Sequence, residues 1–360
     1  MKKIAFVTRV LSSGGAEMVL GQIVNACARQ GMQCLLLTVW PNNTVPDFHP
    51  NVTVEEIPEV GTGMKGKLRQ YAAVRRRICD FGAELVLSLP EDIGIYVIPA
   101  MFGTGIPVVV SERNNPWVMP YKKVSRVLRR LVYPFAAGLI FQTERAASFF
   151  PKAQQKKGIV LPNPLDLSRL PEVYDGPREK TVVSAGRLDD QKNFPLLIEA
   201  FGKFCKTHPD YKLVIYGEGA KRQELEEKAA RTLPDGSWEL PGRVSDLPRR
   251  ISRCGIFALS SDYEGVPNVL IEAMAAGTPS VSTDCAPGGA AALIRNGENG
   301  LLTPVGDPDA LAEALCYMAD HTADAARMGR EAVALRETLD ANVVAPRWIG
   351  YLQSLCNRRK

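Results

Sequence analysis

Short apolar runs, many of them rich in valine, isoleucine and leucine, alternate with longer helical segments along the first half of the chain. The pattern predicts strands at 3–8, 33–39, 84–89, 108–111 and 139–143, and helices at 16–29 and 68–79. Apolar strands separated by helices are typical of a parallel sheet with right-handed crossovers. We therefore expect the first half to form one α/β domain.

A second alternating series follows a segment rich in proline and charge, 162–177, which we interpret as an interdomain linker. This series predicts strands at 181–185, 212–216, 255–259 and 279–282, and helices at 195–205, 221–231, after Val266 and at 308–317. We expect an α/β fold of two doubly wound, Rossmann-like domains, 1–165 and 178–343, that face each other across a cleft. Residues 344–360 are expected to form a helix that packs back on the first domain. Ligands of such sheets bind at the carboxyl ends of the strands.

The composition agrees with a two-domain intracellular protein. A length of 360 residues exceeds the size at which a single core stops growing. No apolar run approaches the ~18 residues that cross a bilayer, and the first residues lack the apolar core of a signal peptide. The eight cysteines are scattered singly, without zinc-type spacing, so we expect them to be reduced and mostly buried. These features predict a cytoplasmic protein.

The stretch 260–279 carries the most specific pattern, because it places Glu264 and Glu272 eight residues apart across a loop-to-helix junction. Pro267 suits a first helical position. The backbone N–H groups near 266–269, with the helix dipole, predict an anion site between the two carboxylates. A ligand with a central phosphate and hydroxyl-rich ends, such as a nucleotide-sugar, matches this layout.

The alternative for these glutamates is that one complements the helix dipole and the other is a solvated surface residue. Apolar residues from Ile271 to Ala276 surround Glu272, which indicates a largely buried helix. A carboxylate is rarely buried without a partner. The pattern therefore favours a functional role.

Two cations follow the first strand of the second series, where Arg187 and Lys192 lie in the loop after Gly186. Fixed cations at this edge of a sheet can neutralise the diphosphate of a departing nucleotide. The alternative is that both cations pair with Asp189 and Asp190 as surface ions.

Glycine loops follow other predicted strands. Gly14 and Gly15, in the first domain, either present N–H groups to an anion or merely supply the φ angles of a tight turn. They do not form the G-x-G-x-x-G pattern of a dinucleotide site. In the second domain Gly217 begins a glycine loop, and the segment 242–244 can hold a nucleobase through its backbone.

These motifs occur in the same order as in the family-4 retaining glycosyltransferases of the GT-B fold. The resemblance covers essentially the whole chain. The most specific part is the pair of glutamates with the Ala-Met-Ala-Ala-Gly-Thr-Pro segment that follows. The resemblance implies catalytic roles for Glu264, Arg187 and Lys192, of which the cations grip the donor diphosphate and the glutamate holds the donor sugar. It also places Val244 beside the base and Glu272 on the ribose hydroxyls. The implied donor-binding residues are Gly14, Gly15, Gly217, Val244, Glu264, Gly265, Val266, Pro267, Asn268, Val269 and Glu272.

Within that family, the first-domain motifs that include Glu17, Asn115 and Phe135 look like those of bacterial enzymes that build polysaccharides or lipid-linked oligosaccharides. Similar proteins include N-acetylgalactosaminyltransferases that act on undecaprenyl-diphosphate-linked glycans. The chain departs from the family at two places. Many relatives have a histidine after Ser-Glu, where this chain has Arg113. Relatives also commonly carry a Glu before the apolar pair of the segment 288–294, and this chain does not. We therefore assign no contact to that segment. Glu17 and Arg113 are the acceptor-side candidates.

Metal use is not expected. The only Asp-x-Asp spacing, at Asp307 and Asp309, opens a predicted helix, and capping explains it better than metal binding. We also expect no cofactor.

Positive charge is concentrated in the first half, where 20 Lys and Arg stand against 11 Asp and Glu up to residue 165, while the remainder has 24 against 28. Two predicted basic helices, 64–78 and 121–133, carry much of it. Such helices can lie on anionic lipid, which predicts a peripheral position on the inner face of the plasma membrane. The alternative is that their apolar stripes face the core and the cations form a solvated face. Nucleic acid is not expected as a partner, because no aromatic residues interleave with the charges.

The sequence therefore predicts a retaining transfer of a sugar from a nucleotide donor to a glycan or polyprenyl-diphosphate-linked acceptor. By resemblance a UDP-sugar is the first choice of donor, with UDP-N-acetylhexosamine among the candidates and GDP-sugars next. Two alternatives stay open. One is a nucleotide-sugar epimerase on the same scaffold, and the other is a non-catalytic glycan-binding or assembly partner.

Overall fold

The computed structural model describes residues 1–11, 14–42, 45–57 and 63–357. Contacts divide the chain into two units, of which the first comprises Met1–Pro164 with Ala341–Lys360 and the second comprises Leu165–Asp340. Most of the segment that we interpreted as a linker, from residue 165 onward, therefore belongs to the second unit. Leu165 pairs with Asp340 in an isolated parallel bridge, which ties the start of that unit to its end.

Within the described residues, the sheet of the first unit has seven strands. They are β1 (Lys3–Thr8), β2 (Gln33–Thr38), β3 (Val52–Glu56), β4 (Leu85–Ser88), β5 (Val108–Ser111), β6 (Gly138–Phe141) and β7 (Gly158–Val160). All pairings are parallel, in the order β3-β2-β1-β4-β5-β6-β7. The central strands are buried on both faces, as expected for a parallel sheet covered by helices.

Helices cover both faces of this sheet. In chain order they are α1 (Gly15–Arg29), α2 (Gly63–Phe81), α3 (Glu91–Ala100), α4 (Lys123–Val132), α5 (Glu144–Ser148) and α6 (Lys152–Gln155), with a 3-10 turn at Tyr133–Phe135 after α4. The apolar face of α1 packs in one core, and α2 and α3 pack in a separate core on the other side.

Within the second unit, six parallel strands are described: β8 (Glu179–Ala185), β9 (Lys212–Tyr216), β10 (Trp238–Gly242), β11 (Cys254–Leu259), β12 (Ser280–Thr283) and β13 (Leu301–Thr303). Their order is β10-β9-β8-β11-β12-β13. The helices are α7 (Phe194–Phe204), α8 (Arg222–Thr232), α9 (Leu247–Arg253), α10 (Asn268–Ala275), α11 (Pro308–Asp320), α12 (Thr322–Ala332) and α13 (Leu335–Thr338). In both sheets the strand order reverses beside the first strand, so the expected pair of doubly wound parallel sheets is confirmed.

The chain returns to the first unit through α14 (Ala341–Asn357), which packs against α1. Trp348 of this helix is fully buried, and its Nε1 donates a hydrogen bond to the Pro162 carbonyl at 3.2 Å. The last three residues of the predicted segment 344–360 lie outside the described residues.

Candidate active site

Lys192 is positioned by a short turn beyond β8. The Asp189 side chain accepts a hydrogen bond from the Lys192 backbone N–H at 3.4 Å and caps the 3-10 turn Asp190–Lys192. The turn is joined to the loop after β11, because Ser260 Oγ donates to the Lys192 carbonyl at 2.9 Å and the Asp262 N–H donates to the Gln191 carbonyl at 3.0 Å. The loops that follow the adjacent strands β8 and β11 are therefore held together.

Lys192 and Glu264 form a nearly buried ion pair, although 72 residues separate them. Lys192 Nζ lies 2.5 Å from Glu264 Oε1, and the side chains are 12% and 9% exposed. Ser261 Oγ donates a second hydrogen bond to the same oxygen at 3.0 Å. A Cβ on Gly186 would lie 2.7 Å from Lys192 Cε, so glycine leaves the space that the lysine chain occupies. Desolvating two charges is costly, and the pair is thus a strong candidate for a functional site.

Gly217 has a structural role that the sequence did not reveal. Its φ is 141°, and a Cβ there would lie 1.8 Å from the Gly186 carbonyl oxygen. Its N–H donates to the Gly242 carbonyl at 3.0 Å. Close packing of the loops that follow β8 and β9 therefore accounts for this glycine without a ligand.

The helix between the two glutamates begins one residue later than predicted. Helix α10 starts at Asn268, and Pro267 is the N-cap with extended φ and ψ of −76° and 112°, so our placement of Pro267 at the first helical position was wrong. The Pro267 carbonyl accepts hydrogen bonds from the N–H groups of Leu270 and Ile271. A capping residue needs only a free carbonyl, which proline supplies, and α10 still directs the N–H groups of its first turn toward the loop 265–267.

The glycine pair Gly288–Gly289, to which we assigned no contact, supports this loop. A Cβ on Gly289 would lie 1.5 Å from the Gly265 carbonyl oxygen, so the two backbones are in direct contact. The Glu264 N–H donates to the Ala286 carbonyl at 3.1 Å. The segment 286–289 therefore fixes the backbone beside Glu264.

Glu272 is half-buried on α10. Burial raises the pKa of its carboxyl, and the positive charge of Arg169 opposes that shift. Arg169 also lines a cavity of about 310 Å³ together with Leu170, Pro171, Ser245, Asp246, Pro248 and Arg249. Val244 directly precedes the lining residues and packs against the core of the second unit. Arg169, Leu170 and Pro171 were missed because they lie in the segment 162–177, which the sequence indicates as a linker.

Arg187 is 65% exposed and pairs with Asp189 at 3.4 Å between Nη2 and Oδ2. Asp190 pairs instead with Lys221, at 3.2 Å. Arg187 therefore makes the surface contact with Asp189 that the alternative describes, whereas the ion-pair partner of Lys192 is Glu264 and neither of the two aspartates.

In the first unit, Gly14 is the N-cap of α1, with φ of −75° and ψ of 157°, angles that any residue adopts. Gly15 begins the helix, and neither glycine has a positive φ. The explanation of this pair by its φ angles is therefore wrong. Glu17 lies in the first turn of the same helix, while Ser12 and Ser13 of this loop lie outside the described residues.

Arg113 follows β5 and is buried, with 8% of its surface exposed. Its Nη2 donates to Asn163 Oδ1 at 2.6 Å, and its guanidinium lies over the Trp348 ring at 5.8 Å. Nε and Nη1 are buried and have no hydrogen-bond partner among the residues that the structure describes. Burial lowers the pKa of Arg113 to about 10, and the charges of Glu91 and Glu17 oppose the shift, so the group stays protonated at neutral pH. Two charged N–H donors are thus left unpaired in the interior of the first unit.

A buried polar cluster beside Arg113 was also missed. Tyr133 Oη donates to Glu112 Oε1 at 2.6 Å, and Arg129 Nη1 lies 3.4 Å from Glu112 Oε2. Burial raises the pKa of Glu112 to about 7, against the charge of Arg129. Burial also raises the pKa of Glu91, which accepts a hydrogen bond from the Arg113 N–H at 3.4 Å. The Ser-Glu-Arg motif after a buried strand was the available signal.

Asp307 accepts hydrogen bonds from the N–H groups of Asp309 and Ala310, which confirms that it caps α11. Among the described residues, no group of three or more His, Cys, Asp or Glu side chains is arranged to hold a metal ion.

The comparisons with known proteins identify the second unit. Residues 174–334 match the family model for glycosyl transferases group 1. These residues form a group 1 glycosyltransferase domain. The matched range contains Arg187, Lys192 and both glutamates, so the loops described above belong to this glycosyltransferase domain.

Relatives extend the similarity beyond that domain. An N-acetyl-D-galactosaminyltransferase of Campylobacter jejuni that acts on an undecaprenol-diphosphate-linked glycan is 28% identical over 88% of this chain and 88% of its own. HepE of Anabaena, crystallised with UDP and glucose, has a TM-score of 0.84 at 21% identity and covers 98% of this chain and 100% of its own. A sucrose-phosphate synthase of Thermosynechococcus elongatus has a TM-score of 0.87 at 18% identity, with 99% of each chain covered. The expected GT-B fold is thereby confirmed.

Proposed function

We propose that the protein is a retaining glycosyltransferase that moves a sugar from a UDP-sugar to a glycan or polyprenyl-diphosphate-linked oligosaccharide. The observation that carries the proposal is the nearly buried Lys192–Glu264 pair at the carboxyl edge of the second sheet, within the group 1 glycosyltransferase domain. The acceptor class is suggested by the C. jejuni relative, and the UDP donor by HepE. UDP-N-acetylhexosamine is the first donor to test.

In this proposal Lys192 and Arg187 bind the donor diphosphate. Lys192 Nζ has three donors and uses one on Glu264, which leaves two for phosphate oxygens. Arg187 is exposed and has only a loose contact with Asp189, so it can turn toward a ligand at little cost. The N-terminal end of α10, with residues Gly265–Val269 before and within its first turn, adds N–H groups and a positive dipole end.

Glu272 and the cavity beside it are proposed to bind the nucleoside. A half-buried carboxylate can accept hydrogen bonds from both ribose hydroxyls, and the nearby Arg169 favours its charged form. The cavity of about 310 Å³ begins next to Val244 and has room for a nucleobase. Gly217 supports this region through its contact with Gly186 and is not assigned a direct donor contact.

Glu264 is proposed to hold the donor sugar, oriented by Lys192 and Ser261. The bond between the sugar C1 and the phosphate oxygen breaks, and UDP leaves with the electron pair, stabilised by the two cations. The acceptor oxygen bonds to C1 on the same face, and its proton passes to the departing diphosphate. The configuration at C1 is thereby retained without an enzyme base.

Arg113 and Glu17 remain the acceptor-side candidates in the first unit, and Gly14 and Gly15 remain proposed donor-binding residues. The free donors at Arg113 Nε and Nη1 suit the oxygens of a phosphorylated or hydroxyl-rich ligand. Arginine stays protonated, so Arg113 stabilises charge and does not act as a general base. A lipid-linked acceptor would place the protein at the cytoplasmic face of a membrane.

The test is to incubate the protein with UDP- and GDP-sugars, with and without a bacterial lipid extract, and to follow nucleotide release and the configuration of the product. We expect UDP release that requires acceptor, and an α-linked product from an α-linked donor. Conversion of a nucleotide-sugar without acceptor would establish the epimerase instead. Failure to bind any nucleotide diphosphate would establish a non-catalytic partner.

A further inference from the structure

Helix α4 is turned in a way that its sequence did not lead us to expect. Its apolar residues Val124, Val127 and Leu131 are 70%, 56% and 63% exposed, whereas Arg129 is 1% exposed. These three residues therefore face outward, whereas Leu128 and Val132 of the same predicted stripe pack against the core. The alternative in which the whole stripe faces the core is wrong for Val124, Val127 and Leu131, and Arg129 is not part of a solvated face.

Polar contacts hold the helix in this orientation. Arg129 donates to the carbonyls of Pro116 and Met119, at 2.6 and 2.8 Å, in addition to its pairing with Glu112. Arg126 donates to the carbonyl of Val118 at 2.9 Å, among others in the same loop. The inward arginines tie α4 to the loop that precedes it, so the helix cannot roll to bury its apolar stripe without breaking these bonds.

The exposed stripe continues past the end of α4. Phe135 is 64% exposed and makes an edge contact with Phe102, which is 49% exposed, at 5.3 Å between ring centroids. Val124, Val127, Leu131, Phe135 and Phe102 are called the α4 surface below. An exposed apolar patch of this kind marks an interaction site.

The charges of the chain segment that contains α4 have one sign. From residue 114 to residue 143 the sequence contains five Lys and Arg and no Asp or Glu. Lys122, Lys123 and Arg130 are exposed, and none of them has an ion pair in the part of the chain that the structure describes. An apolar strip flanked by unpaired cations complements an anionic lipid surface.

We propose that the α4 surface docks the first unit on an anionic lipid bilayer, with the apolar residues at the level of the acyl chains and the cations on the headgroups. The proposal rests on the proposed function only in so far as a lipid-linked acceptor requires a membrane-side position. It does not require a spanning segment, and no described helix is long and apolar enough to cross a bilayer.

The C-terminal half of the other basic helix is less available for this role. In α2, Arg77 pairs with Glu55, Arg76 lies 3.6 Å from Asp80, and Arg75 donates to the carbonyls at the end of α3. Its first turns still expose Met64 and Leu68. This helix is therefore the natural comparison, and α4 is the surface to which the proposal commits.

The test is co-sedimentation of the full chain with vesicles of equimolar phosphatidylcholine and phosphatidylglycerol, against vesicles of phosphatidylcholine alone. We expect binding only to the anionic vesicles, and a fall of about tenfold or more in the partition coefficient for Val127→Ser with Leu131→Ser. Replacing Lys122, Lys123 and Arg130 by Gln should weaken binding and reduce its dependence on salt.

The matched control lies on α14, where Val343 and Arg347 are also exposed on one helix of the same unit. Val343→Ser with Arg347→Gln should leave vesicle binding unchanged. Circular dichroism and thermal unfolding show whether each variant is folded.

Three results would overturn the proposal: equal binding of the wild type and the α4 variants, a loss confined to Met64→Ser with Leu68→Ser, or a concentration-dependent dimer that the α4 variants abolish. Nucleotide binding and sugar transfer to a water-soluble acceptor are measured separately. A protein that binds vesicles and transfers no sugar would contradict the proposed function and leave the α4 surface supported.

Discussion

Glu264 is held at its position by two donors, the ammonium group of Lys192 and the hydroxyl group of Ser261. Both act on Oε1, which leaves Oε2 as the oxygen that can meet a sugar hydroxyl. Removing the side chain altogether would leave Lys192 buried without its partner and would confuse stability with function. Glutamine keeps an oxygen acceptor and removes only the charge.

We expect Glu264→Gln to lower the rate of sugar transfer by about 10²–10³, the range observed when one electrostatic contact is removed from an active site. The measurement is the initial rate of UDP release with a saturating acceptor. Glu298→Gln is the control, because this glutamate is exposed and pairs with Arg295 in the same unit. Full activity of Glu264→Gln, at an unchanged midpoint of thermal unfolding, would remove Glu264 from the mechanism.

Glu272 is expected to act on binding and not on the rate of transfer. Loss of one charged hydrogen bond to ribose costs about 1.5–3 kcal/mol, so Glu272→Gln should weaken UDP binding by about tenfold or more. Isothermal titration calorimetry with UDP measures this affinity directly. Glu313 is an exposed glutamate on α11, and Glu313→Gln should bind UDP as the wild type does. An unchanged affinity of the Glu272 variant would place the ribose elsewhere.

At the scale of elements, the cluster around Glu112 joins β5, α4 and the 3-10 turn that follows α4. Its carboxyl has a pKa of about 7 in the folded protein, against an ordinary value of 4.5. Below pH 4.5 the group is protonated in both states and has no effect on stability. Between 4.5 and 7 the unfolded chain loses the proton first, so the folded state is progressively disfavoured as pH rises, and above 7 the full penalty is present.

We therefore expect Glu112→Gln, which mimics the protonated acid, to have a smaller decrease in its unfolding midpoint between pH 5 and pH 7.5 than the wild type has. Thermal unfolding followed by circular dichroism across this range is the measurement. Glu313→Gln again serves as control, since its exposed carboxyl should leave the wild-type pH profile intact. Parallel profiles for the wild type and Glu112→Gln would show that Glu112 ionises normally.

Elements with a strong local pattern were predictable. The strands β1, β5 and β9 lie where the sequence places them, because each is a continuous apolar run. Helix α3 was missed because it is short, begins after Pro90 and contains Gly94 and Pro99. The strand β10 was missed because Pro241 interrupts it, which an edge strand tolerates.

Contacts between distant residues were the part that the sequence could not supply. The Lys192–Glu264 pair joins loops 72 residues apart, and no local pattern encodes it. The outward turn of α4 has a similar origin, because its amphipathic period predicts an apolar and a polar face but not which of them is buried. Carbonyls of the preceding loop and Glu112 decide that question by binding Arg126 and Arg129.

At the scale of the whole molecule, the first unit is discontinuous in sequence. Six residues of α14 complete one of its two cores: Val344, Ala345, Trp348, Ile349, Leu352 and Leu355 are all buried. Fragment 1–164 therefore lacks part of its own core. Trp348 also lies under Arg113, so the returning helix supports both the core and an acceptor-side candidate.

Because Leu165 pairs with Asp340, the flanking residues Pro164 and Ala341 leave the second unit side by side. A glycine–serine linker of about four residues should therefore replace the whole second unit. We expect the joined protein, 1–164 with 341–360, to unfold cooperatively, whereas fragment 1–164 alone aggregates or remains unfolded. Loss of a buried tryptophan alone lowers the free energy of unfolding by about 3–5 kcal/mol. Thermal unfolding and size-exclusion chromatography distinguish the two.

Trp348→Ala in the joined protein is the matched control and should behave like the truncated fragment. If fragment 1–164 proved as stable as the joined protein, α14 would be an appendage of the first unit and not part of its core.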